Sequence, residues 1–206
     1  MTLNNKTKDN IIKAAVHLVQ KKGYSETSIQ EIVKKSKAPQ GSIYYYFPKG
    51  KDEIICAAID KIREEFEKKF ARESKKCTEP EQVLRLMVDL LEKKEGKYGT
   101  PSFRLTLLAL ETMGQAKVVA DKTADALRFW KTVFAKELEK VGVNPKYSLG
   151  ISVWFCTTIQ GAVCSAAVKD DTNFSKIMEQ AIQLVVLANQ TNQLDAIFAQ
   201  KSDLED

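Results

Sequence analysis

The chain has 206 residues, of which 44% are hydrophobic and 29% charged, with a formal net charge of +5. That is long enough for one large domain or two small ones, with a substantial buried core. The charge is uneven: residues 1–51 hold 10 Lys/Arg against 3 Asp/Glu, while the remainder hold 22 against 24. A basic excess confined to one quarter of the chain is the electrostatic footprint of phosphate binding.

The first helix is expected over Lys6 to Lys22, with Ile11, Ala14, Ala15 and Leu18 as its inner stripe and Gly23 as its stop. His17, the one histidine, is an ordinary half-exposed residue of that helix. Thr27-Ser28-Ile29-Gln30-Glu31 places a hydroxyl three residues before Gln or Glu twice over, the pattern of a capped helix start. Ile29, Ile32 and Val33 share one face of the short helix that follows, and Pro39 ends the turn after it. The next helix, Gln40 to Phe47, buries Ile43 and Phe47 and leaves Gln40, Ser42, Tyr44, Tyr45 and Tyr46 to point elsewhere. Three adjacent tyrosines cover most of a helical turn, so at least one phenol is exposed. Hydroxyl and amide groups are what reach phosphate oxygens and base edges in a major groove.

A long helix is expected from Lys51 to about Lys75, striped by Ile55, Ile59, Ile62, Phe66 and Phe70. Thr78-Glu79-Pro80-Glu81 reads as a capping box launching a helix to Lys94, with Gly96 and Gly99 breaking the chain after it. Further helices are expected over Ser102–Met113, Lys117–Val141, 146–168 and 174–199, with Asp170-Asp171-Thr172 separating the last two. No segment alternates with period two, so the chain reads as all-α. The window Leu149–Val168 is apolar enough to raise a membrane span. Ser152, Thr157, Thr158, Gln160 and Ser165 interrupt it, which favours a buried helix and no membrane.

Cys56, Cys77, Cys156 and Cys164 have no CxxC spacing, which argues against a disulfide framework or zinc site; Cys156 and Cys164 read as core residues. Reduced thiols and the polar start MTLNNKTKDN are read as cytoplasmic placement without a secretory signal. No Ser-His-Asp or Cys-His set, Gly-rich phosphate loop or HExxH occurs, so neither catalysis nor a cofactor is expected.

From Thr7 to Ile59 the sequence resembles the DNA-binding region of TetR-family transcriptional regulators, through Lys22-Gly23-Tyr24, Thr27-Ser28-Ile29, Gly41-Ser42-Ile43-Tyr44-Tyr45-Tyr46-Phe47 and Lys51-Asp52-Glu53-Ile54. Tyr46 stands where the family usually has His. The ending Phe47-Pro48-x-Gly50-Lys51 is similar to the LmrA/YxaF-like branch. So are Gly99-Thr100-Pro101, Leu107-Leu108-Ala109-Leu110-Glu111-Thr112, Phe129-Trp130 and Gly161-Ala162-Val163.

The resemblance implies a three-helix helix-turn-helix domain over residues 1–50 and a helical ligand-binding and dimerisation domain over 51–206. DNA contacts fall to Thr27, Ser28, Gln40, Gly41, Ser42, Tyr44, Tyr45, Tyr46, Lys49 and Lys51, with Gln40 the base reader, since a side-chain amide pairs bidentately with adenine. Phe66, Phe70, Met87, Leu90, Phe103, Leu107, Leu110, Glu111, Met113, Trp130, Phe134 and Trp154 are core by default and, by the resemblance, candidates to line an inducer cavity. Glu111, in a largely apolar helix, meets a ligand or pairs with Arg104 or Lys117. Thr158, Gly161, Ala162 and Ser165 form a small-residue face for a second subunit; the alternative is that Gly161 faces a helix of its own subunit. A mid-helix glycine costs about 1 kcal/mol relative to alanine, which close approach would offset.

The expected partners are therefore a palindromic operator in double-stranded DNA, a second copy of the chain, and a small apolar or aromatic inducer of unknown identity. Two rivals stand beside this reading: a helical DNA-binding regulator without a ligand, and a soluble helical enzyme or carrier.

Overall fold

The computed structural model describes residues 3–92, 101–167 and 173–198. Among these no strand occurs. The helices are α1 (Leu3–Lys22), α2 (Ile29–Ser36), α3 (Gln40–Tyr46), α4 (Lys51–Glu73), α5 (Pro80–Glu92), α6 (Pro101–Thr112), α7 (Lys117–Lys140), α8 (Pro145–Ala167), α9 (Phe174–Gln190) and α10 (Leu194–Phe198), with one 3-10 turn at Ser74–Lys76. The chain divides into two compact units, Met1–Phe66 with Gly99–Leu127, and Glu67–Tyr98 with Arg128–Asp206. The units part at Phe66 and again within α7, and α6 belongs with the N-terminal helices.

In the first unit α1 packs on α2 and α3. Its buried stripe is Ile11, Ala14, Ala15 and Val19, whereas Leu18, expected in that stripe, is half-buried. Ile32, Ile43 and Phe47 close the three-helix core, and Ile54, Ile55, Ala58, Ile59 and Ile62 extend it along α4. Of the two capping patterns, the chain uses Ser28 with Glu31: the Glu31 N–H donates to Ser28 Oγ (3.3 Å) and the Ser28 N–H to Glu31 Oε2 (3.1 Å).

In the second unit α9 packs on α5 and α8, and α10 crosses both α8 and α9. Four ring contacts run through its interior: Phe70–Phe134 (5.9 Å), Phe134–Phe155 (5.7 Å), Phe155–Trp154 (6.5 Å) and Trp154–Phe198 (5.9 Å). Each separation is within the range where tilted and edge-on aromatic pairs are favourable.

Several elements depart from the sequence reading. The helix expected over 174–199 is two helices. Asn192 sits in the left-handed region (φ 55°), and the Gln193 N–H donates to the Ala188 carbonyl at 2.9 Å, a Schellman stop that turns the chain before α10. At the start of α5, Thr78 engages Gln82 and not Glu81, because the helix begins at Pro80 and shifts the cap by one residue (Thr78 N–H to Gln82 Oε1, 2.7 Å). Glu81 instead bonds Arg85. Asn144 caps α8, its Oδ1 accepting from the Lys146 N–H at 2.9 Å. The expected breaks at Gly96, Gly99 and 170–172 lie outside the described residues.

Helix α8 is amphipathic and not fully buried. Ile151, Phe155, Ile159, Ala162 and Val163 face the interior, while Leu149, Val153, Thr157 and Gly161 lie on the exposed side. Pro145–Ser165 is long and apolar enough to cross a membrane by length and composition, with 39% of it buried in the chain. Cys156 and Cys164 are half-buried as residues; burial of its sulfur pushes the Cys156 thiol up to about 11. All four cysteines are free thiols, and no metal-binding cluster occurs among the described residues.

Candidate nucleic-acid interface

Helix α3 is a two-faced element. Ile43 and Phe47 are buried, whereas Tyr44 and Tyr45 are 59% and 71% exposed. Burying Ile43 and Phe47, one turn apart, forces the residues between them outward. Tyr46 is half-buried and meets Tyr45 edge-on at 4.9 Å between ring centroids. Gln40 and Gly41 open the helix and are exposed, and Ser42 is half-buried. A Cβ at Gly41 would meet nothing within 4 Å, so the glycine leaves clear space in front of the helix start.

Beside this helix runs a groove of about 540 Å³, lined by Ser25, Thr27, Ser28, Ile29, Gln30, Val33, Lys34, Gln40, Tyr44 and Lys51. The groove is predominantly polar in residue type and carries two lysines, which suits a phosphate backbone. Gln30, Lys34 and Ser25 belong to it and escaped the sequence reading. The signal was present: Gln30 and Lys34 lie four apart on α2, one turn of an outward face.

Lys51 stands at the rim, its Nζ 3.9 Å from the centre of the Tyr24 ring. The Tyr24 hydroxyl donates to Asp52 Oδ1 at 2.6 Å. Burial lowers the Lys51 pKa against the pull of Asp52 and Glu111, while burial and the Asp52 bond push the Tyr24 phenol up to about 12. The Tyr24 phenol is therefore uncharged at neutral pH. The side chain of Lys49 is exposed, and its backbone N–H donates to Glu53 Oε2 at 2.9 Å.

Thr27 borders the groove, but its hydroxyl is engaged within the chain. It is fully buried and its hydroxyl donates to the Gly23 carbonyl at 2.7 Å, stopping the end of α1. Ser28 is half-buried with its hydroxyl engaged by Glu31 (2.9 Å), so its part at the groove is to cap α2 and hold that wall in place.

The inducer candidates divide between the two units. Phe70, Met87, Leu90, Trp130, Phe134 and Trp154 fall in the second unit, with Phe70 and Phe134 completely buried. Phe66, Leu107, Leu110, Glu111 and Met113 fall in the first. Leu110 (59% exposed) and Met113 (71%) are on the surface and line no interior. The side chain of Phe103 lies outside the described residues.

Lys117, one of the partners expected for Glu111, pairs with Asp121 at 3.1 Å, and the side chain of the other, Arg104, lies outside the described residues. The Glu111 carboxylate accepts from the backbone N–H groups of Tyr24 (2.9 Å) and Ser25 (2.7 Å). Burial works against its charge, but these two donors and the Lys51 cation hold its pKa below the usual glutamate value.

Of the four residues expected at a subunit interface, Gly161 is exposed and Thr158 and Ser165 are half-buried, but Ala162 is buried within its own chain. Thr158 donates to the Trp154 carbonyl at 3.0 Å. The exposed stripe is Leu149, Val153, Thr157 and Gly161, which shares only Gly161 with the expected face.

Comparison with known proteins agrees with this geometry. Residues 11–58 match the model for bacterial regulatory proteins of the tetR family, and residues 79–195 match the C-terminal domain of LmrA/YxaF-like transcriptional regulators. The HTH-type transcriptional regulator LmrA of Bacillus subtilis is 28% identical over 161 residues, 76% of this chain and 84% of that protein. The uncharacterized HTH-type transcriptional regulator YxaF of the same organism is 27% identical over 190 residues, 90% of this chain and 98% of that one. Among solved structures, a transcriptional regulator from Saccharomonospora viridis in complex with choline superposes with a TM-score of 0.68 at 15% identity, covering 88% of this chain and 96% of that one. The exposed tyrosine helix, its groove and both matched segments make this chain a member of the TetR family of transcriptional regulators, in the LmrA/YxaF-like group, and hence a non-enzymatic helix-turn-helix protein.

Proposed function

We propose that this regulator is a ligand-responsive repressor that binds a palindromic operator as a homodimer in the cytoplasm. The observation that carries the reading is α3: two exposed phenols and an exposed amide on a helix whose other side is locked into the core, next to a groove carrying Lys34 and Lys51. Gln40 reads a base edge, Tyr45 meets an edge or a thymine methyl, and Ser42, Tyr44, Tyr46, Lys49 and Lys51 approach phosphates, joined by Gln30 and Lys34.

A pair of such helices needs a two-fold partner. Leu149 and Val153 on α8 and Leu184 and Leu187 on α9 are 42–58% exposed, on two helices that pack together. A Cβ at the exposed Gly161 would meet nothing within 4 Å, which favours a partner outside the chain over a helix of the same subunit. A second copy applied here by two-fold symmetry buries this face against itself and presents two α3 helices to half-sites about 34 Å apart or a multiple of that.

The inducer's place is the aromatic interior of the second unit, where Phe70, Phe134 and Trp154 belong to one ring cluster with Met87, Leu90 and Trp130 in the same unit. The choline-bound relative supports a small molecule as effector. Such a ligand releases DNA only through a difference in affinity between the DNA-competent state and another. Selection of duplexes from a random pool, with titrations at several salt concentrations, tests the reading. A palindromic consensus bound with a steep salt dependence is expected; retention indifferent to sequence would refute it.

A further inference from the structure

The residue between α1 and α2 that the groove depends on is held from far along the chain. Glu111, near the end of α6, places Oε2 2.9 Å from the Tyr24 N–H and Oε1 2.7 Å from the Ser25 N–H. Gln115, one turn further, donates from Nε2 to Ser25 Oγ (3.0 Å) and to the Glu111 carbonyl (2.8 Å). Two successive backbone donors converging on one carboxylate, with an amide bracing both, form a clamp on the turn 23–27.

The turn is shaped for that clamp. Gly23 has φ +82°, and a Cβ there would lie 2.6 Å from Glu111 Oε2. Any side chain at Gly23 would be strained in itself and would displace the carboxylate. Tyr24 passes the constraint on through its hydroxyl to Asp52 and through its ring to Lys51; Ser25 and Lys51 both line the groove. Thr27, at the far end of the turn, is tied back to Gly23 and leads directly into the Ser28 cap of α2.

We propose that Glu111 is a positioning residue for operator binding: its carboxylate fixes the α1–α2 turn, and through it the groove wall formed by Ser25, Ser28 and Lys51. This rests on the DNA-binding reading above. Glu111 touches no DNA in this assignment. It sets how often the groove is in its binding shape, and apparent affinity falls in proportion to that fraction. It lies in the segment matched by the C-terminal domain, so the contact ties that segment to the DNA-reading helices inside one compact unit.

The test uses the full-length protein and the duplex recovered by selection. Glu111→Gln keeps the size but removes the charge and turns an amide toward one donor. Losing a charge-assisted bond of this kind is expected to weaken operator binding about tenfold. Glu111→Ala should weaken it further, and Gln115→Ala less, with the Glu111→Gln/Gln115→Ala pair non-additive because both act on Ser25. Hydrogen exchange of the Tyr24 and Ser25 amides is read in parallel, below the melting temperature of each variant; it should speed up in the Glu111 variants while amides in α5 and α9 stay protected. Unchanged operator affinity in Glu111→Gln, or Tyr24 and Ser25 amides exchanging freely in the wild type, overturns the clamp. A wild type with protected amides but no sequence preference on DNA overturns the operator reading, and with it the role assigned to Glu111.

Discussion

Substituting Leu184 by glutamate tests the proposed two-fold assembly most directly. Leu184 is 58% exposed on α9, with Leu187 (56%), Leu149 (42%) and Val153 (42%) also open to solvent on α9 and the adjoining α8. Full burial of a leucine is worth about 1.5–3 kcal/mol, so covering the exposed half contributes about 1–1.5 kcal/mol per copy. A two-fold interface contains the residue twice, so deleting its apolar part removes about 2–3 kcal/mol of association energy, a dimer weaker by about 30- to 150-fold. The two carboxylates add desolvation and mutual repulsion, so this is a lower bound. Because the site is exposed within one chain, folding of the subunit should survive. Sedimentation equilibrium gives the dimer constant, and far-ultraviolet circular dichroism reports the fold. Weaker dimerisation should weaken operator binding in parallel. A wild type that sediments as a monomer at micromolar concentration, or a Leu184→Glu protein with an unchanged dimer constant, would refute the assignment of this face.

Other expectations concern the groove, the core and the response to acid. Gln40→Ala should relax operator preference by about 1–3 kcal/mol in competition binding, whereas Lys51→Ala should weaken all duplexes alike and lower the salt slope by about one. Phe134→Ala, at a fully buried ring touching Phe70 and Phe155, should cost about 3–5 kcal/mol in denaturant unfolding. Glu31 is held down to about 2 by Lys22, 2.6 Å away, and by the N–H and hydroxyl of Ser28. Its folded-state pKa lies below the unfolded one, so its contribution is complete above pH 4.5 and is lost as pH falls toward 2. Thermal unfolding across that window should show a shallower acid decline in Glu31→Gln than in the wild type, and equal declines would remove the role given to this pair.

The DNA-reading half was largely legible residue by residue. Ser28 with Glu31, the Pro39 turn and the Ile43/Phe47 pair each depend on neighbours within one or two turns, so local spacing suffices to place them. Thr27 was misread because capping spacing fits it and Ser28 equally well; which hydroxyl turns inward depends on the end of α1, where the Gly23 carbonyl waits. The end of α9 was missed because an asparagine stop is weaker than a glycine one; Asn192 takes the left-handed conformation and lets the Gln193 N–H bond back to the Ala188 carbonyl. Leu110 and Met113 look like core in a leucine-rich helix, yet α6 presents them outward because its inner face is spent on Leu105, Leu108 and Thr112.

What the sequence determined by itself was the all-helical architecture, the asymmetry of charge and the outward tyrosines of α3, since each follows from periodicity and composition over short spans. Only the tertiary structure decided that Glu111 serves the turn at Tyr24 and Ser25, 86 or 87 residues away, and that Gly161 and not Ala162 faces outward. A carboxylate in an apolar helix specifies a need for donors but not their address. The address comes from packing, which brings distant backbone N–H groups within reach and selects the one face of each helix left to solvent.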